Sequence, residues 1–157
     1  MLRPNAVIAD VDGTLADVRT IRHHVLNKPK SFDAFHAASA HVPPNVPALD
    51  FVTRHHAAGH VIVVVTARRE RWAEVTATWL HRHMPVPFDG AFHRPDDDLR
   101  PDVQIKADIH RYLTRHYNIV GAVDDNPRIV ELWERLGIPT TVIPGWDDPA
   151  LPAGGAA

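Results

Sequence analysis

Short apolar runs alternate along this chain with segments whose apolar side chains return every three or four positions, the pattern of a parallel sheet covered by helices on both faces. Strands are predicted at residues 6–10, 60–65, 91–93, 119–123 and 140–143. The second of these, almost entirely valine and isoleucine, reads as a central strand buried on both sides. Helices are marked by their punctuation, with Pro47 near one start and Gly59 at its end, and Pro127 near another start and Gly137 at its end. Two more are predicted over 71–83 and 102–117. The chain therefore reads as α/β, with one domain over residues 1–146. The Pro- and Gly-rich remainder, 147–157, lacks periodicity and is expected to be a mobile tail. Residues 15–44 are too few for an independent lid, so the expected site is an open cleft without a large cap domain.

A length of 157 residues is enough to bury a core without disulfides or metals to staple it. The formal net charge of -2 excludes a general cationic surface, so any contact with nucleic acid must come from local clusters of arginine. With no cysteine, thiolate zinc sites, disulfides and cysteine nucleophiles are excluded, which is compatible with a reducing compartment. The sequence enters its first strand without a basic and apolar leader, and no apolar run reaches membrane-spanning length, so a soluble, cytoplasmic protein is expected. Twelve histidines occur in clusters such as His23-His24, His55-His56 and His81/His83. None has a carboxylate at metal-ligand spacing, and they read as surface residues.

Candidate chemistry gathers where strands end, the edge at which open α/β sheets bind ligands. Asp10-Val11-Asp12-Gly13-Thr14 follows the first strand. As the strand turns, two carboxylates at this spacing can converge on one cation, and Gly13 allows the backbone to come close. Thr66-Ala67-Arg68 follows the second strand with a hydroxyl and a guanidinium suited to phosphate oxygens. Asp102 and Lys106 stand four apart, on one face of a helix, where they can pair. Asp124-Asp125 closes the fourth strand with two adjacent acids. Taken singly, each has an ordinary explanation as a turn, a helix cap or a surface ion pair.

Taken jointly, the order D-x-D-G-T, T, K, D-D resembles the four motifs of the haloacid dehalogenase (HAD) superfamily, over essentially the whole domain. A two-component receiver domain also combines acids, Thr and Lys around magnesium, but in another order and without the D-x-D-G-T turn. The second acid, Asp12, marks phosphatase chemistry within the superfamily. Arg94, Asp98, Arg100, Asp102 and Lys106, together with DDNPRIVELWERLGI, resemble the phosphatase domain of bacteriophage-type polynucleotide kinase. That family's Arg soon after the first motif has Arg22 and Arg19 as its candidates here. The chain contains no G-x-x-x-x-G-K-[ST] phosphate loop, which excludes the 5′-kinase chemistry from it.

The resemblance implies a single Rossmann-like HAD domain and a Mg2+-dependent phosphomonoesterase. Asp10 would be the nucleophile and Asp12 the general acid and base, with Thr66 and Lys106 neutralising the transferred group. Asp10, the Asp12 carbonyl, Asp124 and Asp125 would hold or orient magnesium. Arg68, Arg94, Arg100 and Arg22 or Arg19 would contact substrate, with Gly13, Thr14 and Asp102 in support. The implied substrate is a phosphorylated nucleic-acid end or a nucleotide, most specifically a 3′-phosphate. The competing readings are a phosphatase of free nucleotides or other small phosphorylated metabolites and a non-catalytic binding or signalling module.

Overall fold

The computed structural model describes residues 1–148. Five parallel strands, β1 (Asn5–Ala9), β2 (Val61–Arg69), β3 (Ala91–Arg94), β4 (Asn118–Asp124) and β5 (Thr140–Val142), form one sheet in the order β3-β2-β1-β4-β5. Side chains alternate across a strand, so β1 and β2 each serve two cores. Val7, Ala9, Ile62 and Val64 pack with Phe51, Val52, Trp79 and Leu80. Those residues come from α3 (Val46–Ala57) and α4 (Ala73–His83). Ala6, Ile8, Val63 and Val65 point the other way, onto Leu113, Ile129 and Trp133. These belong to α5 (Asp102–Leu113) and α6 (Pro127–Arg135). The α/β reading from the sequence therefore holds, with helices on both faces of a parallel sheet.

The valine-rich β2 is interior, but the central position belongs to β1. The chain runs outward from β1 through β2 to β3, then returns to β4 on the other side of β1. This reversal places a switch point at the carboxyl ends of β1 and β4, where a crevice opens between diverging connections. Strand β2 also runs past the predicted end at residue 65, because Arg69 pairs with Arg94 of β3. Thr66 and Arg68 therefore project from a strand that continues beyond its pairing with β1, which ends at Ala9 and Val64.

Between β1 and α3 lie two short helices that the apolar pattern did not predict, α1 (His23–Leu26) and α2 (Phe32–Ala38). The second is capped by Ser31, whose hydroxyl accepts from the Ala34 amide, and is tied to the core through buried Phe35. These helices line one side of the cleft and do not form a separate domain. No helix among the described residues is long and apolar enough to cross a membrane. Residues 149–157, most of the segment expected to be a mobile tail, lie outside the described residues.

Candidate active site

The loop after β1 turns back on itself at once. The Leu15 amide donates to the Asp10 carbonyl (3.2 Å), and the Ala16 amide donates to that of Val11 (2.9 Å). Asn45 pins the loop from outside by donating to the Thr14 carbonyl at 3.0 Å. Gly13 sits at φ +80, and a Cβ there would lie 2.0 Å from an oxygen of Asp125. Both the backbone and the space demand glycine. Gly13→Ala is accordingly expected to lower the melting temperature and nearly abolish phosphate release. A variant with wild-type melting and turnover would show that the loop need not approach Asp125 so closely.

This turn brings Asp10 beside the acids at the end of β4. Carboxylate oxygens of Asp10, Asp124 and Asp125, all three residues buried, lie within 4.8 Å of one another. The Lys106 ammonium reaches in from α5 and donates to Asp10 at 2.8 Å and to Asp124 at 2.9 Å. Thr14 donates its hydroxyl to Asp10 at 2.8 Å. Burial, followed by the charge of Asp124, pushes the Asp10 carboxyl well above the ordinary range, with Lys106 opposing. Burial and the same neighbour raise Asp125 to about 7. Burial works against the charge on Lys106, but Asp10 and Asp124 outweigh it and hold the ammonium protonated. Three crowded carboxylates with one cation make a site where a further small, hard cation would be electrostatically favourable, and an all-oxygen donor set fits magnesium.

Asp12 turns away from this cluster. Its carboxylate accepts two bonds from Arg68, one from Nε at 2.9 Å. Burial alone would raise the Asp12 carboxyl, but Arg68 outweighs it and holds the group below its ordinary value. Arg68 is itself buried, and its third contact goes to the Thr76 hydroxyl at 3.1 Å. Thr76 in turn donates to the Trp72 carbonyl at 2.9 Å.

The remaining predicted residues divide. Thr66 is buried and lines the cleft, its hydroxyl accepting from the Arg68 amide at 3.1 Å. Asp102 does not pair with Lys106. It accepts from Arg94, whose guanidinium also donates to the Ala67, Asp98 and Arg100 carbonyls. The i,i+4 spacing allowed the Asp102–Lys106 pair, but Lys106 points inward to buried acids, leaving Asp102 to the nearer guanidinium. Arg94 thus braces the segment leading into α5 and has no free fork to offer. Arg100 is likewise engaged, with Asp98 at 2.7 Å and Asp108 at 2.8 Å. Arg22 lines the cleft and donates to the carbonyls of Gly145 and Trp146, both at 2.8 Å. Arg19 is paired with Asp17 and is not among the residues lining the cleft.

Arg69, Lys30 and His36 are among the cleft residues that the sequence did not single out. Arg69 and Lys30 line the cleft without a carboxylate partner among the described residues. Arg69 was visible as the second half of an Arg-Arg pair. Its position on the rim depends on the unforeseen extension of β2. His36 departs from the expected surface placement. It lines the cleft, its Nδ1 is buried without a hydrogen-bond partner, and burial brings its pKa down to about 4, leaving a neutral ring. The whole cleft has a volume of about 1030 Å³.

Residues 4–144 match the family described as the polynucleotide kinase PNKP phosphatase domain. A protein of Autographa californica nuclear polyhedrosis virus named "Putative bifunctional polynucleotide kinase/RNA ligase" is 30% identical over 142 residues, covering 87% of this chain and 19% of that protein. The chain therefore spans about a fifth of that relative's length. A chain in a Pnkp1/Rnl/Hen1 RNA repair complex superposes with a TM-score of 0.73 at 23% identity, covering 89% of this chain and 42% of that one. The class C acid phosphatase of Bacillus anthracis gives a TM-score of 0.69 at 14% identity, covering 92% of this chain and 68% of that one. At these identities the solved structures speak for the fold, while the match over residues 4–144 speaks for the family. The chain belongs to the polynucleotide kinase phosphatase-domain family and is a phosphatase of the HAD type.

Proposed function

We propose that this phosphatase removes a 3′-phosphate from a nucleic-acid end through an aspartyl-phosphate on Asp10, with magnesium as its cofactor. The observation that carries the chemistry is the buried cluster of Asp10, Asp124 and Asp125 with Lys106 on two of its members. Asp10, the Asp12 carbonyl and Asp124 would hold magnesium, with Asp125 orienting them. The bound ion would offset the charge that gathers on the phosphate oxygens.

An oxygen of Asp10 attacks phosphorus as the bond to the leaving oxygen breaks, and the proton on Asp12 passes to that oxygen. Water then attacks phosphorus, gives its proton to Asp12, and frees the Asp10 carboxylate together with inorganic phosphate. The Arg68 contact favours ionised Asp12, the form that serves as base in the second half. An anionic substrate that draws Arg68 to itself would leave Asp12 among negative charges and raise its affinity for the proton needed in the first half. Thr66 and Lys106 would steady the transferred group.

Nucleic acid is favoured as substrate by the family match, by the cleft without a separate cap domain, and by Arg69 and Lys30 on its rim. With Arg94 and Arg100 tied to carbonyls and carboxylates, contacts to neighbouring phosphates fall to this other pair. A cytoplasmic setting belongs to this reading, in keeping with a chain that has no cysteine. Phosphate release from a 3′-phosphorylated oligonucleotide, the matching 3′-mononucleotide and a sugar phosphate, each with magnesium and with chelator, tests the reading. We expect the oligonucleotide to be preferred, activity to vanish with chelator, and Arg69→Ala to weaken oligonucleotide binding and lower its salt slope by about one. Equal or better cleavage of the small substrates would establish a metabolite phosphatase instead, and full activity in chelator would dismiss the metal.

A further inference from the structure

The rim of the cleft carries exposed apolar side chains beside its charged ones. Phe32, Leu26, Leu99 and Trp146 all line it while remaining 61%, 60%, 79% and 43% exposed. Exposed apolar side chains around a polar floor suit a ligand with an anionic centre and a flat, weakly hydrated body. Among these walls the rings of His36 and Trp72 lie 5.7 Å apart at 46°, a tilted aromatic pair in which neither member is strongly exposed.

This pair is tied to the catalytic residues. The Trp72 carbonyl is the last acceptor in the chain of contacts that starts at Asp12 and runs through Arg68 and Thr76. His36 feels the charges of both Asp12 and Arg68. Its helix is anchored beneath by Phe35, and the 3-10 turn that follows is held where the Trp79 indole donates to the Val42 carbonyl at 2.9 Å. A neutral imidazole set against an indole on the cleft wall offers aromatic surface, while its unpaired Nδ1 is turned into the protein. A nucleobase, with a π-face of its own, can stack on such a surface more fully than the ring of a sugar phosphate can.

We propose that Trp72 and His36 form the subsite for the nucleobase adjoining the scissile phosphate, so that the enzyme selects ends that carry a base and discriminates against abasic ends. The proposal rests on the nucleic-acid reading of the same cleft. It makes Trp72 a specificity residue, and it makes the Arg68–Thr76 link the means by which base and phosphate are registered against one another.

The test compares kcat/KM on two oligonucleotides of the same length, each with a 3′-phosphate, one ending in an ordinary nucleotide and the other in an abasic residue. A sugar phosphate is run beside them. Stacking of one base on an aromatic side chain predicts a preference for the base-bearing end of roughly 5- to 150-fold. In Trp72→Ala that ratio should collapse toward one, His36→Ala should reduce it, and Trp72→Phe should restore most of it. A wild-type enzyme that treats both ends alike overturns the subsite even if both oligonucleotides far exceed the sugar phosphate. A preference that survives in Trp72→Ala places base recognition elsewhere. If neither oligonucleotide exceeds the sugar phosphate, the nucleic-acid reading falls and the subsite with it.

Discussion

Replacing Asp10 by asparagine is expected to reduce phosphate release to the uncatalysed background in a protein at least as stable as the wild type. The amide cannot act as the nucleophile that forms an acyl-phosphate, so the first step has no route. Stability moves the other way because the fold disfavours the ionised form: burial, then Asp124, raise the Asp10 carboxyl, and Lys106 only partly offsets them. A carboxyl whose folded pKa exceeds its unfolded value contributes stability at low pH that is lost as pH rises, so at neutral pH the wild type carries a penalty that a neutral amide avoids. Asp124, which accepts from Lys106 at 2.9 Å in the wild type, remains as its partner in the variant. Such a gain in stability with loss of function is what crowded buried carboxylates predict where they serve the proposed chemistry. Thermal melts in chelator and a phosphate-release assay suffice as the check. Retained turnover in a folded variant would remove Asp10 from the nucleophile's role, and a large drop in melting temperature would contradict the electrostatic account.

Lys106→Ala should have the opposite effect on stability and the same effect on activity. Lys106 is 3% exposed, and its removal leaves Asp10 and Asp124 buried with their shared cation gone. Breaking such a buried pair costs about 3–5 kcal/mol. Asp10→Asn in the same chain should recover part of that loss, since one of the stranded charges is then absent, and the cycle of single and double variants measures the coupling by denaturant unfolding. Asp102→Ala provides the contrast. Because Asp102 contacts Arg94, its effect should add to that of Lys106→Ala and fail to add to that of Arg94→Ala. Coupling of Asp102 to Lys106, with none to Arg94, would restore the ion pair that their helical spacing first suggested.

The comparison of Asp102 with Lys106 shows where sequence reasoning ends. Spacing along α5 places both residues on one face, but the strength of a pairing depends on what else is within reach. Two buried carboxylates, Asp10 just past the end of β1 and Asp124 at the end of β4, attract the ammonium more strongly than one partly exposed neighbour can. The arginines follow the same logic. A count of guanidinium groups near a motif says that phosphate contacts are possible, whereas the carbonyls of Ala67, Asp98 and Arg100 around Arg94 decide that this one is a brace.

What the sequence by itself determined was the α/β class, because strands buried on both faces must be apolar throughout and helices that cover them must be apolar on one side. It also determined the motif order, because acids after an apolar strand mark the edge where that strand stops. Tertiary structure alone decided which strand is central, since backbone pairing partners leave no trace in a single strand's composition. It decided that Asp12 faces Arg68 while Asp10 faces Lys106, a divergence set by the tight turn at Gly13. It also decided that His36, Trp72 and Arg69 line the cleft, because β2 extends beyond its apolar run and α2 folds against the core through one phenylalanine. Those contacts join residues far apart in the chain, and only the packed sheet and its crossovers bring them within reach of one another.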